Sequence, residues 1–449
     1  MDIVQEECKI QTIYRLNSIP EIDEERFRMS WEWLRRGDVV SVTGILSRTR
    51  TGELSVRATS EITLLSPCLH PIPLTLSSAQ TRSHHRTVDL LVHSAARDIL
   101  RARAFILTYL RSFFSARDFL EVQTPILSDV AGGAAARPFV THATVFGAGP
   151  DSSSTPTPLE LRIAPELWLK RLIIAGFDRV FEIGQVFRNE GIDATHNPEF
   201  TTCEFYQAFA SLDDLASLTE ELIFGLVKSA GEKFPAIKSN IQTKGISFDA
   251  PFLRLDFIST LEECMGITLP DVVLNSSEES DDAKRYLEQL FASEGIPIPE
   301  PVTVARMLDK LGDYYIGPIL DNAKKPVFVM NLPEILSPLA KSSKAEGKGY
   351  RIARRFELYV AGKELVNAYE EENSPFAQRR KFELQLCDRD VDAEAHVTDE
   401  GYLASMEWGL PPTGGWGIGI DRLVMLLTGA ERISDVLAFG GIKGVVGQE

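Results

Sequence analysis

The chain has 449 residues, 44% of them hydrophobic and 25% charged, with a formal net charge of −17. This length and apolar content suffice for a large core, suggest two or three domains and read as a soluble globular protein. No apolar stretch approaches the roughly 20 residues that cross a bilayer, so a membrane-spanning helix is excluded, and the acidic balance confines any contact with a polyanion to local basic surface. Cys8, Cys68, Cys203, Cys264 and Cys387 include no CxxC pair, so they read as reduced thiols rather than a zinc site or a disulfide frame.

In chain order, residues 10–16, 39–44 and 53–64 predict strands, with a turn at Thr51-Gly52. Arg26, Arg28, Arg35, Arg36, Arg48, Arg50 and Arg57 are scattered through this part; they read equally as a nucleic-acid contact or as ordinary solvated side chains. Residues 68–80, rich in Pro and Ser, read as a linker. Residues 94–119 predict a helix, because Ile99, Ile106, Leu110 and Phe113 recur at helical spacing, and an apolar strand follows that breaks at Pro125. Residues 149–158 predict a flexible loop and 275–282 a polar, acidic interruption, neither of them a boundary. The organisation expected is therefore residues 1–73 and 74–449.

The most informative stretch is residues 181–206. Two strand-like runs flank a polar loop that concentrates Arg188, Glu190 and His196, a mixture that no packed core accepts without partners. Arg188 suits a carboxylate or phosphate, His196 a further anion, and Phe200 offers a ring face, a set that fits adenine with phosphates. Near the C-terminus, Gly415, Gly417 and Gly419 have the wrong spacing for a dinucleotide fingerprint, yet they allow backbone to approach a ligand closely, with Arg422 placed to meet anionic charge.

Phe187-Arg-Asn-Glu190 with His196-Asn-Pro-Glu-Phe200 resembles motif 2 of class II aminoacyl-tRNA synthetases. Phe119-Leu-Glu-Val-Gln-Thr-Pro125 resembles motif 1, which implies a homodimer, and Gly414-Gly-Trp-Gly-Ile-Gly-Ile-Asp-Arg422 resembles motif 3, whose arginine contacts the terminal phosphate of ATP. Leu161-Arg-Ile-Ala-Pro-Glu-Leu-Trp-Leu-Lys170, Gly132-Gly-Ala-Ala-Ala-Arg-Pro-Phe139 and Gly409-Leu-Pro-Pro-Thr413 narrow the resemblance to lysyl-tRNA synthetases over residues 39–440. Glu364-Leu-Val-Asn-Ala-Tyr-Glu-Glu-Glu-Asn373 and Gly191-Ile-Asp-Ala-Thr-His196 look most like fungal mitochondrial forms. The fold implied is α+β: a class II catalytic domain, an antiparallel sheet flanked by helices, after a partial OB-fold that binds the anticodon. The N-terminus leaves no room for the first two OB strands, so that domain is expected to be incomplete.

The resemblance implies roles residue by residue. Glu166 would hold the substrate α-amino group, with Gly132 or Gly133 supplying backbone contacts. Arg188 would hold the substrate carboxylate against the α-phosphate. Glu204, Tyr206, Asn367, Tyr369 and Glu371 would surround the side chain, with Glu204 and Glu371 reading its ammonium. Charge supports lysine separately: residues two apart on a strand share a face, and this set offers acid and hydroxyl to a cationic tip. Glu190, His196, Phe200, Gly419 and Arg422 would serve ATP. Magnesium is the implied cofactor, with Glu357 and Glu364 as its ligands and as further ATP-site residues. A two-residue turn at Ala361-Gly362 places both carboxylates on one face but sends Asn367 to the other, so a bulge between Glu364 and Asn367 is predicted.

The partners implied are tRNA(Lys), lysine, ATP and a second copy of the chain, with no membrane. The family resemblance favours the mitochondrial matrix, whereas the acidic start, unlike a transit peptide, favours the cytosol. Two other readings stay open: a lysyl ligase that modifies a protein, and a non-catalytic regulatory paralogue.

Overall fold

The computed structural model describes residues 1–6, 8–20, 22–143, 157–274, 281–388 and 398–442. Residues 149–156 and 275–280, within the expected loop and acidic interruption, lie outside the described residues. The chain divides into two units, Met1–Ser94 and Ala95–Glu449.

In the first unit, Asp2–Gln5 pairs antiparallel with Cys8–Ile13, which runs parallel to Leu54–Ala58, itself antiparallel to Gly44–Arg48. A parallel pair needs a crossover, and here it contains the helix Glu24–Trp33, capped by the Asp23 carboxylate, which accepts from the Arg26 N–H at 2.7 Å. Val39–Ser41 and Thr63–Ser66 form a separate pair. Tyr14, Ile19, Ala58 and Ile62 make a small core. This is an OB-like arrangement of strands around one helix. Three features differ from the sequence reading. A strand precedes residue 8, where none was expected. Each of the runs 39–44 and 53–64 is broken in two. The helix was not anticipated, and the reason is physical: none of its residues is fully buried, and its contact with the small core runs through the half-buried Phe27, stacked on Tyr14. At the end of the unit the fully buried Asp89 accepts from Arg82 (2.6 Å) and Arg86 (2.5 Å), with His93 Nδ1 at 2.7 Å, fixing residues 79–93.

The second unit opens with the helix Ser94–Ser115, whose Ala102, Ile106, Leu110, Phe113 and Phe114 are buried against the sheet, as the 3.6-residue spacing requires. The sheet has eight strands in the order Leu253–Asp256, Val327–Met330, Arg355–Val360, Lys363–Glu370, Thr413–Gly419, Glu199–Ala208, Arg179–Phe187, Leu120–Glu121. All pairings are antiparallel except at the two edges, where Leu253–Asp256 joins Val327–Met330 and Leu120–Glu121 joins Arg179–Phe187 in parallel. The architecture is α+β with a large, mostly antiparallel sheet.

Alternation along the central strands separates core from site. Cys203, Phe205, Val366, Ala368, Trp416 and Ile418 face the helices and are buried. Phe114, Phe119, Phe181, Phe205 and Trp416 interlock there, with ring centroids 5.1 to 6.1 Å apart. Trp416 Nε1 donates to Thr219 Oγ1 at 2.9 Å, so the indole is buried without an orphan donor. Truncating one of these rings to Ala removes about 3–5 kcal/mol. Residues 200, 202, 204 and 206, 367 and 369, and 415, 417 and 419 therefore point to the opposite face. A second core, formed by the helices Phe257–Met265, Asp281–Glu294 and Val304–Tyr315, fills the segment between the strands of motif 2 and those ending at Glu370.

Candidate active site

That opposite face opens onto a cavity of about 620 Å³. Three adjacent strands build its floor in register: Glu204 lies beside Gly417, which lies beside Asn367, and Tyr206 beside Gly415 beside Tyr369. The middle strand carries only glycine on this face, and the missing side chains are the cavity. A Cβ on Gly415 would stand 2.0 Å from Glu371 Oε1 and 2.7 Å from Tyr206 Cε1, and one on Gly417 3.3 Å from Glu204 Cγ. A Cβ on Gly419 would meet nothing within 4 Å.

One end of the cavity is acidic. Glu166, first residue of the helix Glu166–Ile174, is 5% exposed and accepts from the Tyr369 hydroxyl at 2.8 Å on both oxygens. Glu204 Oε2 accepts from Tyr206 at 3.3 Å. Burial, then the nearby Glu166 carboxylate, pushes Glu204 up to about 8, with Arg188 drawing it down. Burial likewise raises Glu371 to about 8, opposed by Lys170. Lys170 Nζ, fully buried, donates to Glu166 Oε1 at 2.7 Å and Glu371 Oε2 at 2.9 Å. Burial opposes its charge, but these two carboxylates hold the ammonium well above its usual range. Glu371 Oε1 is buried with no hydrogen-bond partner among the described residues. Such an orphan in a pocket calls for a donor from a ligand.

The other end is cationic. The loop between the motif 2 strands carries Arg188 over the Phe200 ring, 5.2 Å from its centroid, and buries Arg188 Nε without a partner among the described residues. Arg422 Nη2 donates to His196 Nε2 at 2.9 Å. An arginine only donates, so Nε2 accepts and Nδ1–H is left to donate to Asp193 Oδ2 at 2.8 Å. Arg422 sits in the first turn of the helix Ile420–Thr428, with Gly419 at its N-cap, an end that favours anions.

Between Glu357 and Asn367 the register shifts: Leu358 faces Val366, whereas Tyr359 faces Glu364. Leu365 is the extra residue, and this bulge puts Glu357, Glu364 and Asn367 on one wall, as predicted. Burial, then the Glu357 charge, raises Glu364 to about 7. Glu357 accepts from Arg355 and from the Tyr359 hydroxyl, the latter at 2.9 Å. Among the described residues no group of three or more His, Cys, Asp or Glu could hold a metal ion.

Of the residues singled out from sequence, Gly133, Glu166, Arg188, Glu190, His196, Phe200, Glu204, Tyr206, Glu357, Glu364, Asn367, Tyr369, Gly419 and Arg422 line the cavity. Gly132 and Glu371 do not line it. A Cβ on Gly132 would meet Leu167 Cδ1 at 2.7 Å, and Glu371 sits at the edge of the cavity beside Gly415, with Oε1 2.0 Å from where a Gly415 Cβ would stand and Oε2 held by Lys170. Gly133 adopts φ +92°, open to glycine at no steric cost, with a Cβ there only 3.0 Å from Glu166 Cβ.

Several residues escaped the sequence reading. Arg355 donates to Asn367 Oδ1 at 2.9 Å and to the Leu336 carbonyl at 2.8 Å, fixing the amide. Its signal was available, since it lies two residues before Glu357 on a strand. Asp421, 2% exposed, pairs with Arg103 and accepts from the Thr201 N–H at 2.7 Å, tying the start of the motif 3 helix to the motif 2 strand. That contact spans 318 positions in sequence and left no local trace.

A class II tRNA synthetase family (D, K and N) matches residues 78–443. The chain belongs to the class II aminoacyl-tRNA synthetases. It is 42% identical to the mitochondrial lysine–tRNA ligase of Schizosaccharomyces pombe over 99% of this chain and 81% of that protein. It is 43% identical to a probable cytoplasmic lysine–tRNA ligase of Encephalitozoon cuniculi, over 92% of this chain and 79% of the relative. The lysine–tRNA ligase of Deinococcus radiodurans is 38% identical over 98% and 78%.

Proposed function

We propose that the protein is a lysine–tRNA ligase that activates lysine with ATP and transfers it to the 3′-terminal adenosine of tRNA(Lys). The observation that carries this reading is the polarity of one cavity, acid and hydroxyl at one end and Arg188, His196 and Arg422 at the other. Lysine fits with its ε-ammonium near Glu204 and Tyr206, its α-ammonium on Glu166, and its carboxylate toward Arg188. ATP fits with adenine on Phe200 and its outer phosphates toward His196 and Arg422. Asn367 and Tyr369 close the lysine side, Glu190 and Gly419 the nucleotide side, and Gly133 brings backbone close to the α-amino group.

In the first step the lysine carboxylate attacks the α-phosphate in line and releases pyrophosphate. A free carboxylate is ionised at pH 7, so no general base is needed, and positioning with charge neutralisation supplies the acceleration. In the second step the tRNA 3′-hydroxyl takes the acyl group from the adenylate. Glu357 and Glu364 fit magnesium: two carboxylates on one wall, one of them raised toward neutral pH by burial and then by the other, beside the phosphate-facing cations. Magnesium takes one or two carboxylates with phosphate oxygens and water completing its shell, so a third protein acid is not required. Bound there, it neutralises phosphate charge.

The resemblance of residues 119–125 to motif 1 and the half-exposed Leu120, Ile126 and Leu127 support a homodimer. The fungal mitochondrial relative supports a mitochondrial location, which organelle fractionation tests. Among the described residues no helix is long and apolar enough to cross a membrane. ATP–pyrophosphate exchange against each of the twenty amino acids tests the activity. Exchange driven by lysine is the expected result, and exchange driven by another amino acid, or by none, contradicts it.

A further inference from the structure

Lys170 lies at the bottom of the acidic end with no exposure to solvent, between Glu166 of its own helix and Glu371 of the strand end, with its Nζ 5.2 Å from the centre of the Tyr402 ring. A buried lysine is costly unless paired, and a single carboxylate satisfies that need. Here it has two, and each reaches toward the lysine site: Glu166 through the cavity wall, Glu371 through an oxygen with no partner. With Glu204 the acidic end holds three carboxyl groups against one fixed ammonium. Once all three are ionised, as an ammonium ligand requires, two negative charges are left uncompensated. Lysine brings two ammonium groups, while its carboxylate goes to Arg188.

We infer that Lys170 is a positioning residue for amino-acid specificity: its ammonium fixes the Glu166 and Glu371 carboxyls in place and sets the acidic end, once ionised, at the two negative charges that a diammonium substrate neutralises. Resting on the assignment of this cavity to lysine, the inference adds a residue that touches no substrate atom. An amino acid with only an α-ammonium leaves one buried carboxylate unpaired, which costs more than a missing methylene does. The groups facing this centre are Glu166, Glu371 and Tyr369 around the ammonium, Tyr402 from the helix Glu400–Met406, and Glu204 and Tyr206 from the motif 2 strand, with Arg188 beyond them. Burial drives Glu204 and Glu371 toward the protonated form, and Lys170 opposes this at Glu371 directly. Without its charge, the carboxyls receive the substrate ammonium groups only after losing protons at higher pH.

Lys170→Gln keeps donors for both carboxylates and removes the charge. On the full chain, in lysine-dependent ATP–pyrophosphate exchange, KM for lysine at pH 7 should rise at least tenfold, with recovery toward pH 9 and KM for ATP unchanged. A uniform loss at every pH, or no change, overturns the inference. Lys170→Arg keeps the charge and donors for both carboxylates, so the inference remains testable if Lys170→Gln does not fold. It should keep the pH profile of KM for lysine close to that of the unaltered chain and keep rejection of norleucine; a profile shifted toward higher pH, or lysine and norleucine used alike, overturns the inference. Absence of lysine-dependent exchange in the unaltered protein instead removes the lysine assignment on which this rests.

Discussion

Glu204 carries the sharpest residue-scale expectation. It stands on the strand beside Gly417, shares hydrogen bonding with Tyr206, and sits against Glu166. Glu204→Gln should weaken lysine activation by about 2–5 kcal/mol, as loss of a buried charge partner does, and leave KM for ATP nearly unchanged. Equal loss for both substrates in exchange kinetics would remove Glu204 from the lysine site. Its raised value also has a sign. At pH 7 a carboxyl titrating near 8 is mostly protonated in the empty pocket, and an ammonium ligand requires it ionised, so lysine binding releases protons and strengthens as pH rises from 7 toward 9. For the empty protein the same group is more easily protonated folded than unfolded, so its contribution to stability is present below the ordinary 4.5 and is lost as pH climbs to about 8. Calorimetry of lysine binding in two buffers of different ionisation heat checks the first statement; proton uptake on binding contradicts it. At this scale the sequence was legible wherever two residues shared a strand face, as with Glu204 and Tyr206. It was silent on Arg103, whose partners come from distant segments, and on the contact of Lys170 with Glu371, 201 positions away.

Among the elements, the strand Thr413–Gly419 decides the site by what it lacks. Its glycines were read from sequence as allowing close approach to a ligand. The structure adds that Gly415, Gly417 and Gly419 occupy the cavity face while Trp416 and Ile418 anchor the other. Substitutions by alanine should therefore grade with the space available. Gly415→Ala collides with Glu371 and Tyr206 and should abolish most lysine activation; Gly417→Ala presses on Glu204 and should raise KM for lysine moderately; Gly419→Ala finds open space and should leave exchange nearly intact. Steady-state exchange on the three variants gives the order, and a Gly419→Ala protein as damaged as Gly415→Ala contradicts it. The bulge at Leu365 was also legible, because the chemistry demanded that Glu364 and Asn367 share a wall that a regular hairpin denies them. The helix Glu24–Trp33 was not, since periodicity reports burial and no residue of this helix is fully buried.

For the whole molecule, the α+β class and the order of the three motifs were readable, because each motif is a short segment whose chemistry survives out of context. The eight-strand order was not derivable: neighbours such as Glu199–Ala208 and Thr413–Gly419 lie some two hundred residues apart, and only tertiary packing brings them together. The OB-like unit was readable in its later strands, which flank the Thr51-Gly52 turn, and missed in Asp2–Gln5. Sedimentation should find a dimer, and a monomer with full activity would contradict the motif 1 reading. The most direct measurement adds purified tRNA to the exchange reaction and follows lysine onto its 3′ end. Lysine-dependent exchange with charging of tRNA(Lys) is the predicted result. Exchange without charging of any tRNA would mean that the cavity makes an adenylate for another acceptor, and no exchange at all would contradict the adenylation assignment itself.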